Sequence, residues 1–416
     1  MSFWNAFKRT SLFHFIYRLK FLVRAYHFLV AFLGALIYWF PSREIFVIGV
    51  TGTKGKTTVL EVLRAMLKEK GAKVALASSL YFAFGNEEEK NLTNNTMPGR
   101  MFIQKFLRRA VREKCEYALI EVTSEGIMMS RHRFIRWRTG VLTNLAPEHI
   151  EAHGSFENYR AAKLKFLEKT IKSGGKVFLN ADDDSEKFFT TALEKSGVIY
   201  FSKDGVKEVL AHIDKNSFLL SSVFLVENLA AAAVVARTLG VTEIEIKRVA
   251  ENFLGLPGRM EVVLEKPFRV IIDYAHTPDS LQKVYSSLGR PTGKLICVLG
   301  SAGGGRDKWK RSKMGEVAER FCSEIVLTNE DPYDDDPAHI LRDIAGGIKT
   351  KKVFNILDRR GAIEKAVGLA QYGDTVVITG KGSEPFIHIA CGKRIPWSDV
   401  QVAKETIHSL LAKKEV

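Results

Sequence analysis

The chain alternates between short apolar runs and longer stretches in which apolar positions recur every three or four residues. The short runs predict buried β-strands, and the longer stretches predict helices that bury one face. The alternation repeats from residue 45 to about 255, stops briefly, and then starts again in the C-terminal part. The sequence therefore predicts an α/β fold with mainly parallel, helix-covered sheets.

The predicted elements fall into two groups separated by a hinge. In the first group, strand patterns cover 45–50, 73–77, 117–122, 139–143 and 176–179, and helix patterns cover 101–114, 159–172 and 228–239. In the second group, strand patterns cover 270–274, 294–299, 324–328 and 375–379. Between them, 254–259 carries two glycines and a proline, which favours a hinge. We predict an N-terminal arm at 1–44, a central domain at 45–255 and a C-terminal domain at 256–416.

The arm at 1–44 differs from the rest of the chain. Its basic residues, interleaved with aromatic and leucine residues, are Lys8, Arg9, Arg18, Lys20 and Arg24. Residues 25–42 then contain no Asp, Glu, Lys or Arg. This order is similar to a signal peptide, but no small-residue cleavage site follows. We favour a helix or hairpin lying on the inner membrane surface, and the alternative is an arm packed on the protein's own body.

The composition, the cysteine spacing and the net charge limit the classes of protein to which this chain can belong. An apolar content of 46% and a charged content of 26% are ordinary for a soluble globular chain of 416 residues. The four widely spaced cysteines argue against a disulfide framework or a zinc site, and they favour a reducing compartment such as the cytoplasm. The net charge of +15 suits nucleic acid, a membrane surface or polyanionic small molecules. No nucleic-acid motif or long basic run is present, so we expect no nucleic-acid partner.

The first candidate site follows the strand at 45–50. Gly52-Thr-Lys-Gly-Lys-Thr57 leads directly into a helix pattern, the arrangement of a phosphate-binding loop. Glycines let backbone N–H groups turn toward phosphate oxygens, and the helix N-terminus adds positive charge. Lys56 is then expected to reach the β- and γ-phosphates and Thr57 to ligate Mg²⁺. The alternative is a tight turn that needs glycine, but Gly-Lys-Thr at this junction favours ATP binding.

Further candidates follow other strands. Glu121 ends a buried strand, where it can hold Mg²⁺ or remain a solvated carboxylate. His149 and His153 have the spacing of metal ligands, but nearby proline and glycine make a continuous helix doubtful, and a single histidine directed at Mg²⁺ or phosphate is favoured over a zinc pair. The polar loop at 85–100 is long enough to be functional. The glycine run at 300–307 is either a second phosphate site or a flexible loop.

Together these motifs resemble the Mur ligase family, most closely the members that add the third residue of the peptidoglycan peptide. The resemblance covers roughly residues 45–400. It implies an ATPase domain, a Rossmann-like C-terminal domain, and ATP and Mg²⁺ as cofactors. It also implies that a carboxylate of a muramyl-peptide precursor becomes an acyl phosphate, which the amine of an amino acid then converts to an amide.

The resemblance also assigns roles position by position. The phosphate loop comprises Gly52, Thr53, Lys54, Gly55, Lys56, Thr57 and Thr58, and further nucleotide contacts are Asn228, Arg259 and Asp273. Catalysis and metal binding involve Lys56, Thr57, Glu121, His149 and Lys163, the last matching a lysine that the family carbamylates. Without the resemblance, Lys163 would be interpreted as an exposed lysine. Substrate positions are Thr96, Pro98, Ser124 and Arg131 for the precursor and Arg306, Asp331 and Glu384 around the amino acid, and His276 is a further substrate candidate at the end of a strand.

The sequence departs from the family pattern in several places. The usual N-terminal domain that grips UDP has no counterpart, and the arm at 1–44 stands in its place, so the precursor's carrier is left open. Glu125 and Ser383 stand where the family has histidine, and Glu148 stands where it has aspartate. Diaminopimelate-adding members carry Asp-Asn-Pro-Arg, whereas this chain carries Glu-Asp-Pro-Tyr at 330–333 followed by three aspartates. Losing the guanidinium predicts a preference for lysine or another diamine.

Two alternative functions follow from the same motifs. A folylpolyglutamate-type ligase is suggested by the Thr-Lys-Gly-Lys sequence of the phosphate loop at 53–56. A membrane-docked ATPase or scaffold that no longer ligates is suggested by the basic arm and the missing domain. The oligomeric state is not indicated by the sequence.

Overall fold

The computed structural model describes residues 20–93, 95–193, 197–214, 217–288 and 293–412. The chain divides into two compact units, and each contains more than one stretch of chain. Unit 1 comprises Met1–Leu145, Glu157–Asp214 and Val226–Glu251, and unit 2 comprises Ala146–Phe156, Lys215–Leu225 and Asn252–Val416. Two short segments from the middle of the sequence therefore group with the C-terminal half. The domain boundaries proposed above stay a prediction.

The helices of the described residues, in chain order, are α1 Lys20–Ile37, α2 Lys56–Glu69, α3 Arg100–Arg112, α4 Ser124–Met128, α5 Ile150–His153, α6 Phe156–Lys172, α7 Glu186–Ala192, α8 Lys207–Leu210, α9 Val223–Thr238, α10 Glu243–Asn252, α11 Pro278–Ser287, α12 Lys310–Phe321, α13 Pro337–Ala345, α14 Arg359–Leu369 and α15 Asp399–Ala412. The strands are β1 Phe46–Thr51, β2 Val74–Ala77, β3 Tyr81–Phe84, β4 Glu87–Lys90, β5 Tyr117–Glu121, β6 Trp137–Leu142, β7 Lys176–Asn180, β8 Val198–Phe201, β9 Glu261–Leu264, β10 Arg269–Asp273, β11 Leu295–Leu299, β12 Glu324–Leu327, β13 Val353–Asn355, β14 Thr375–Thr379, β15 Phe386–Ile389 and β16 Lys393–Pro396. The strand and helix patterns identified in the sequence all correspond to elements of this structure.

Unit 1 is built on a sheet with the strand order β4-β3-β2-β5-β1-β6-β7-β8. The strands from β2 to β8 along this order are parallel, and β3 and β4 add an antiparallel edge. The central strand β1 lies between β5 and β6, so the chain leaves β1 and β5 at the same edge of the sheet. Gly49 in β1 leaves room for the rings of Trp137 and Phe166, which pack edge to face with centroids 5.0 Å apart.

Unit 2 is built on a second sheet with the order β13-β12-β11-β14-β10-β9. All neighbouring strands are parallel except the edge strand β9. Helices α11, α12 and α13 contribute apolar side chains to the core on one side, and α14 and α15 contribute to the core on the other. This three-layer arrangement confirms the α/β fold expected for the C-terminal half. Strands β15 and β16 form a separate hairpin.

One expectation about this fold is wrong, and one pairing was not foreseen. The segment at 85–100 is not a loop throughout, because Glu87–Lys90 forms β4 against β3. Its side chains are all exposed, so this edge strand has no apolar pattern to reveal it. The cysteines of the described residues form no framework of disulfides, but Cys297 of β11 and Cys322 form one disulfide. Their separation of 25 residues hid a pairing that the neighbouring strands β11 and β12 bring about.

The arm forms helix α1 where it is described, and α1 packs along α3 of unit 1. The expectations for Lys8, Arg9 and Arg18 lie outside the described residues. Across the described part of the chain, no helix combines the length and the apolar character needed to cross a bilayer.

Candidate active site

The phosphate loop of unit 1 connects β1 to α2 and requires glycine at two positions. Gly52 has φ 149° and Gly55 has φ 84°, a backbone region that other residues rarely adopt. A β-carbon on Gly52 would also overlap the hydroxyl of Thr143, and one on Gly55 would overlap the side-chain oxygen of Asn228. Helix α2 begins directly after Gly55, its N-cap, which has no side chain to cap the helix. The loop thus directs a helix N-terminus toward whatever it binds.

Asn144 holds this loop in shape. Its Oδ1 accepts a hydrogen bond from the Lys54 N–H at 2.9 Å, and its Nδ2 donates to the Lys54 carbonyl at 3.0 Å. Its own carbonyl accepts from the Thr53 N–H at 3.0 Å, and the Thr143 hydroxyl donates to the Lys54 carbonyl at 2.7 Å. The conformation of the loop is therefore fixed by side chains that follow β6. Asn144 is not among the binding residues predicted from the sequence.

Lys56 lies over its own loop. Its Nζ donates to the carbonyl oxygens of Gly52 at 3.1 Å and Thr53 at 3.0 Å. These bonds keep a positive charge at the loop, next to the start of α2. The expected contact between Lys56 and phosphate stays a prediction.

Thr57 and Glu121 meet beside the loop. The Thr57 hydroxyl donates to Glu121 Oε2 at 3.1 Å, and the Ser79 N–H donates to the same oxygen at 3.0 Å. The three residues follow β1, β5 and β2, whose carboxyl ends lie at one edge of the sheet. A hydroxyl and a carboxylate are oxygen ligands of the kind that Mg²⁺ prefers. Ser79 had not been identified, because a serine after a strand carries no distinctive signal.

The oxygen pair of Thr57 and Glu121 fits a magnesium ion that takes its other ligands from phosphate and water. Among the described residues, no group of three or more His, Cys, Asp or Glu side chains could hold a metal ion. Sites with one or two protein carboxylates are usual for Mg²⁺ bound to nucleotides, and Thr57 with Glu121 supplies one carboxylate and one hydroxyl.

Lys163 is buried in unit 1, contrary to the exposed position that its helix suggested. Its side chain lies on the inner face of α6, where its Nζ donates to the Gly52 carbonyl at 2.8 Å and sits 4.5 Å from the centroid of the Tyr159 ring. The Tyr159 hydroxyl lies 2.9 Å from the Thr53 hydroxyl, so α6 contacts the phosphate loop twice. An ammonium group does not suit a metal ligand, whereas the carbamate expected from the family resemblance would. The metal-binding role of Lys163 stays a prediction.

The residues expected to hold the precursor lie in two neighbouring segments of unit 1. The Arg131 guanidinium donates to the Met97 carbonyl, between Thr96 and Pro98, and to Asn95 Oδ1 at 3.4 Å. Ser124 is buried as the first residue of α4. Arg131 thus fixes the 95–98 segment, and a contact with substrate is left as a prediction.

His149 belongs to unit 2, unlike the other residues expected to hold metal. Thr57, Glu121 and Lys163 are all in unit 1. His149 has φ 56° and precedes α5, which spans only Ile150–His153, so no long helix carries the two histidines. The sequence had indicated this interruption correctly.

His276 forms a contact with Glu148 within unit 2. Its Nε2 lies 3.2 Å from Glu148 Oε1, and its Nδ1 lies 2.8 Å from the Tyr274 carbonyl. Lys310 donates from its Nζ to the His276 carbonyl at 2.9 Å. Both ring nitrogens therefore lie within hydrogen-bond distance of oxygen atoms.

A buried lysine joins the residues expected around the amino acid. Lys381 Nζ donates to Asp331 Oδ1 at 2.8 Å and to Glu384 Oε2 at 2.6 Å. The Tyr274 hydroxyl donates to Glu384 Oε1 at 2.7 Å, and burial beside that carboxylate raises the pKa of Tyr274. The Arg259 guanidinium lies 4.1 Å from the centroid of the Tyr274 ring. Lys381 was missed because its role depends on the loop after β14, not on a local pattern.

Asp273 shapes the turn that carries Arg259. Its carboxylate accepts from the Ala275 N–H at 2.7 Å and from the Met260 N–H at 2.9 Å. The backbone next to Arg259 is therefore tied to the end of β10. The nucleotide contacts expected of Arg259 and Asp273 stay predictions.

The three aspartates after Tyr333 are less available to bind an amine than the sequence suggested, because each already has a partner in the protein. Asp334 accepts a hydrogen bond from the Cys391 N–H, Asp335 pairs with Arg311, and Asp336 caps α13. The Arg306 side chain interacts with Tyr333, whose pKa is raised by burial and by the charge of Asp331. Burial raises the pKa of Glu330 to about 7. The predicted preference for a distal ammonium therefore has its basis in Asp331, Glu384 and the absence of arginine at 333, and not in the three aspartates.

Residues 50–242 match the model of the Mur ligase middle domain, and residues 258–382 match that of the Mur ligase glutamate ligase domain. The UDP-N-acetylmuramyl-tripeptide synthetase of Borrelia garinii subsp. bavariensis is 36% identical over 405 residues, 90% of this chain and 79% of the relative. The UDP-N-acetylmuramoyl-L-alanyl-D-glutamate–2,6-diaminopimelate ligase of Halalkalibacterium halodurans is 34% identical over 390 residues, 89% of this chain and 80% of the relative.

A solved structure with a similar fold is the folylpolyglutamate synthase of Mycobacterium tuberculosis, complexed with ADP and AMPPCP. It has a TM-score of 0.66 and covers 92% of this chain and 95% of its own. Its sequence identity is 13%, so the similarity concerns the fold alone.

Proposed function

This chain belongs to the Mur ligase family of ATP-dependent amide-forming ligases, and on that premise we propose that it adds an amino acid to a UDP-muramoyl peptide. The acceptor and the amino acid are the proposed part. ATP and nucleotide-linked precursors are cytoplasmic compounds, and we place the reaction in the cytoplasm.

The observation that carries the proposal is the group of side chains at the phosphate loop. Lys56, Thr57 and Glu121 lie within hydrogen-bond contact of the loop or of each other, at the start of α2. Lys56 and the helix N-terminus would hold and partly neutralise the triphosphate. Thr57 and Glu121 would hold Mg²⁺, which when bound adds further positive charge at the transferring phosphoryl group.

The reaction proposed at this group has two steps. A carboxylate oxygen of the acceptor attacks the γ-phosphorus of ATP, and the bond to ADP breaks, which leaves an acyl phosphate. The amine nitrogen of the amino acid then attacks the carbonyl carbon, phosphate departs, and the nitrogen loses a proton as the amide forms. Lys56 acts in the first step, where charge on the γ-phosphoryl oxygens must be stabilised.

We propose lysine or another diamine as the amino acid. Tyr333 supplies no guanidinium to clamp a distal carboxylate. Asp331 and Glu384 share the one ammonium of Lys381, so the three side chains carry a net negative charge that favours a distal amine. Lysine and meso-diaminopimelate differ only in that distal carboxylate, and direct competition between them tests the assignment.

The test is product analysis by mass spectrometry combined with phosphate release. The protein is incubated with ATP, Mg²⁺ and the UDP-linked muramyl dipeptide, together with lysine, ornithine or meso-diaminopimelate. We expect a tripeptide product with lysine and less with diaminopimelate. Phosphate release that does not depend on any carboxylate acceptor would contradict the ligase assignment, and equal turnover of diaminopimelate would contradict only the choice of amino acid.

A variant sharpens the choice of amino acid. Tyr333→Arg should shift the preference toward diaminopimelate by about tenfold, because a bidentate arginine–carboxylate contact contributes on the order of 1.5 kcal/mol. Tyr372→Arg is the matched control, since Tyr372 is an exposed tyrosine of the same unit. A shift in both variants would assign the change to net charge. Replacing the UDP-linked dipeptide by the same muramyl dipeptide without nucleotide tests the carrier.

A further inference from the structure

Helix α1 exposes a row of large apolar side chains. Leu22, Tyr26, Leu29, Leu33 and Leu36, here called the α1 stripe, follow one another at steps of four and three residues and so share one face of the helix. Each is between 41% and 53% exposed. Trp39 extends the row beyond the helix and is 82% exposed. Exposed apolar patches of this extent mark interaction surfaces.

The opposite side of α1 is already occupied. The helix packs along α3, and its buried positions include Ala31 and Ala35. Arg108 of α3 donates to the carbonyl oxygens of Tyr38 at 3.0 Å and Trp39 at 3.1 Å, which fixes the end of the helix. Helix α1 is therefore held on the body of unit 1 by one face while the α1 stripe stays on the outside.

Positive charge borders the stripe. Arg43 after α1 is exposed, and Arg133 places its guanidinium 5.3 Å from the Phe28 ring of α1. Arg24 is also exposed, but helical spacing places it on the side of Ala31 and Ala35, opposite the stripe. The only acidic residue among the first 44 is Glu44, whose carboxylate pairs with Arg108 at 2.8 Å. The surface around α1 thus combines exposed apolar side chains with basic groups. The sequence of the arm supplies one carboxylate, that of Glu44, to offset them.

We propose that helix α1 docks the protein on a membrane surface rich in anionic lipid. The helix lies in the plane of the headgroups, with the α1 stripe facing the acyl chains and Arg43 and Arg133 facing phosphate groups. A second copy of the chain fits less well, because pairing two such faces would bring their arginines together.

The inference does not depend on the proposed substrate, and vesicle flotation of the full chain tests it. Vesicles contain phosphatidylcholine mixed with an equal amount of phosphatidylglycerol, or phosphatidylcholine alone. We expect flotation with the mixed vesicles and weaker flotation without anionic lipid. The double variant Leu29→Glu, Leu36→Glu should bind about tenfold more weakly or worse, because it places two carboxylates on the inserted face.

Matched controls distinguish the loss of membrane insertion by the α1 stripe from the effect of a changed net charge. The double variant Ile244→Glu, Tyr372→Glu changes the charge equally at two exposed apolar positions away from α1, and it should bind as the unmodified chain does. Trp39 gives an independent readout, because its emission should shift to the blue on vesicles and the shift should be lost in Trp39→Phe. Phosphate-release activity and circular dichroism of each variant confirm that the protein is folded.

If something other than a membrane covers the α1 stripe, the flotation experiments give different results. Failure of the full chain to float with either vesicle, or flotation of Leu29→Glu, Leu36→Glu equal to that of the unmodified chain, overturns the proposal. Sedimentation velocity then identifies the occupant. A dimer that the double variant abolishes assigns the face to a second copy, and a monomer that does not float assigns it to residues 1–19 of the same chain.

Discussion

Glu330 provides a test of the electrostatics next to Asp331. The side chain is buried, its Oε2 lies against Gly380, and no hydrogen-bond partner for that oxygen is present among the described residues. Loss of hydration disfavours the charged form, and this effect exceeds the attraction to nearby cations, of which Lys310 is the strongest. The pKa of Glu330 therefore rises from 4.5 to about 7.

The sign of the effect on stability follows from this rise. Between pH 4.5 and about 7, Glu330 keeps its proton in the folded protein, whereas the unfolded chain releases it. The raised pKa of Glu330 therefore contributes its full stabilisation of the folded state at pH values below this range. That contribution is lost as pH rises through the folded pKa. The rise corresponds to about 3 kcal/mol, at about 1.4 kcal/mol per pKa unit.

Glu330→Gln should remove this pH dependence, since glutamine has a similar shape and stays neutral. Relative to the unmodified protein, we expect the variant to gain up to about 3 kcal/mol of unfolding free energy between about pH 5 and about pH 8. Comparing the two proteins at each pH cancels the contribution of Glu61, whose pKa is also raised to about 7 by burial. Hydrogen exchange on peptides that cover β14 measures opening of unit 2.

The control for this experiment is Glu364→Gln, which removes an exposed carboxylate from α14 in the same unit. Its unfolding free energy should follow the unmodified protein across the pH range. If the unfolding free energies of Glu330→Gln and the unmodified protein changed in parallel with pH, Glu330 would be charged throughout this pH range. The account of its burial would then be refuted.

Three further predictions concern the loop and the core. Asn144→Ala removes the bonds that fix the phosphate loop, and KM for ATP, measured by initial rates of phosphate release, should rise about tenfold; an unchanged KM would contradict this. Gly55→Ala brings a β-carbon against Asn228 at a positive φ and should abolish nucleotide binding in calorimetry while unit 2 stays folded. Asp399→Asn leaves Arg359 buried without its charge partner, and urea denaturation should show a loss of about 3 kcal/mol; a loss under about 1 kcal/mol would be inconsistent with it.

The sequence was informative where structure is set locally. The apolar run of β1, the glycines after it and the helix pattern of α2 lie within 25 residues, and each limits the backbone directly. The same holds for the interruption between His149 and His153, which nearby proline and glycine produce. Local constraints of this kind predict both the fold class and the phosphate loop.

Contacts that depend on strand order could not be predicted. Glu121 reaches Thr57 and Ser79 because β5 lies between β1 and β2, although the chain visits β5 after both. The partners of Lys381 are set in the same way, by the position of β14 between β11 and β10. Knowing the strand order is therefore necessary before either group of residues can be recognised.

The burial of charged side chains also could not be predicted from the sequence. Lys163 lies among small residues in the sequence, which suggests exposure, but it follows Tyr159 by one helical turn on the inner face of α6. The exposed edge strand β4 shows the converse, since a strand with no buried face has no apolar pattern. Periodicity reports which face of an element is buried only when apolar residues occupy that face.

The composition of unit 2 has a consequence for dissecting this protein. A fragment starting at residue 252 would lack Glu148, which contacts His276, and Phe218, whose ring lies 6.2 Å from that of Phe253 and fills the space above Gly255. Expression of the C-terminal half alone should therefore give a polypeptide with an uncovered apolar surface, in which His276 has lost its contact with Glu148. A self-sufficient version would need the two missing segments, 146–156 and 215–225, joined by engineered linkers.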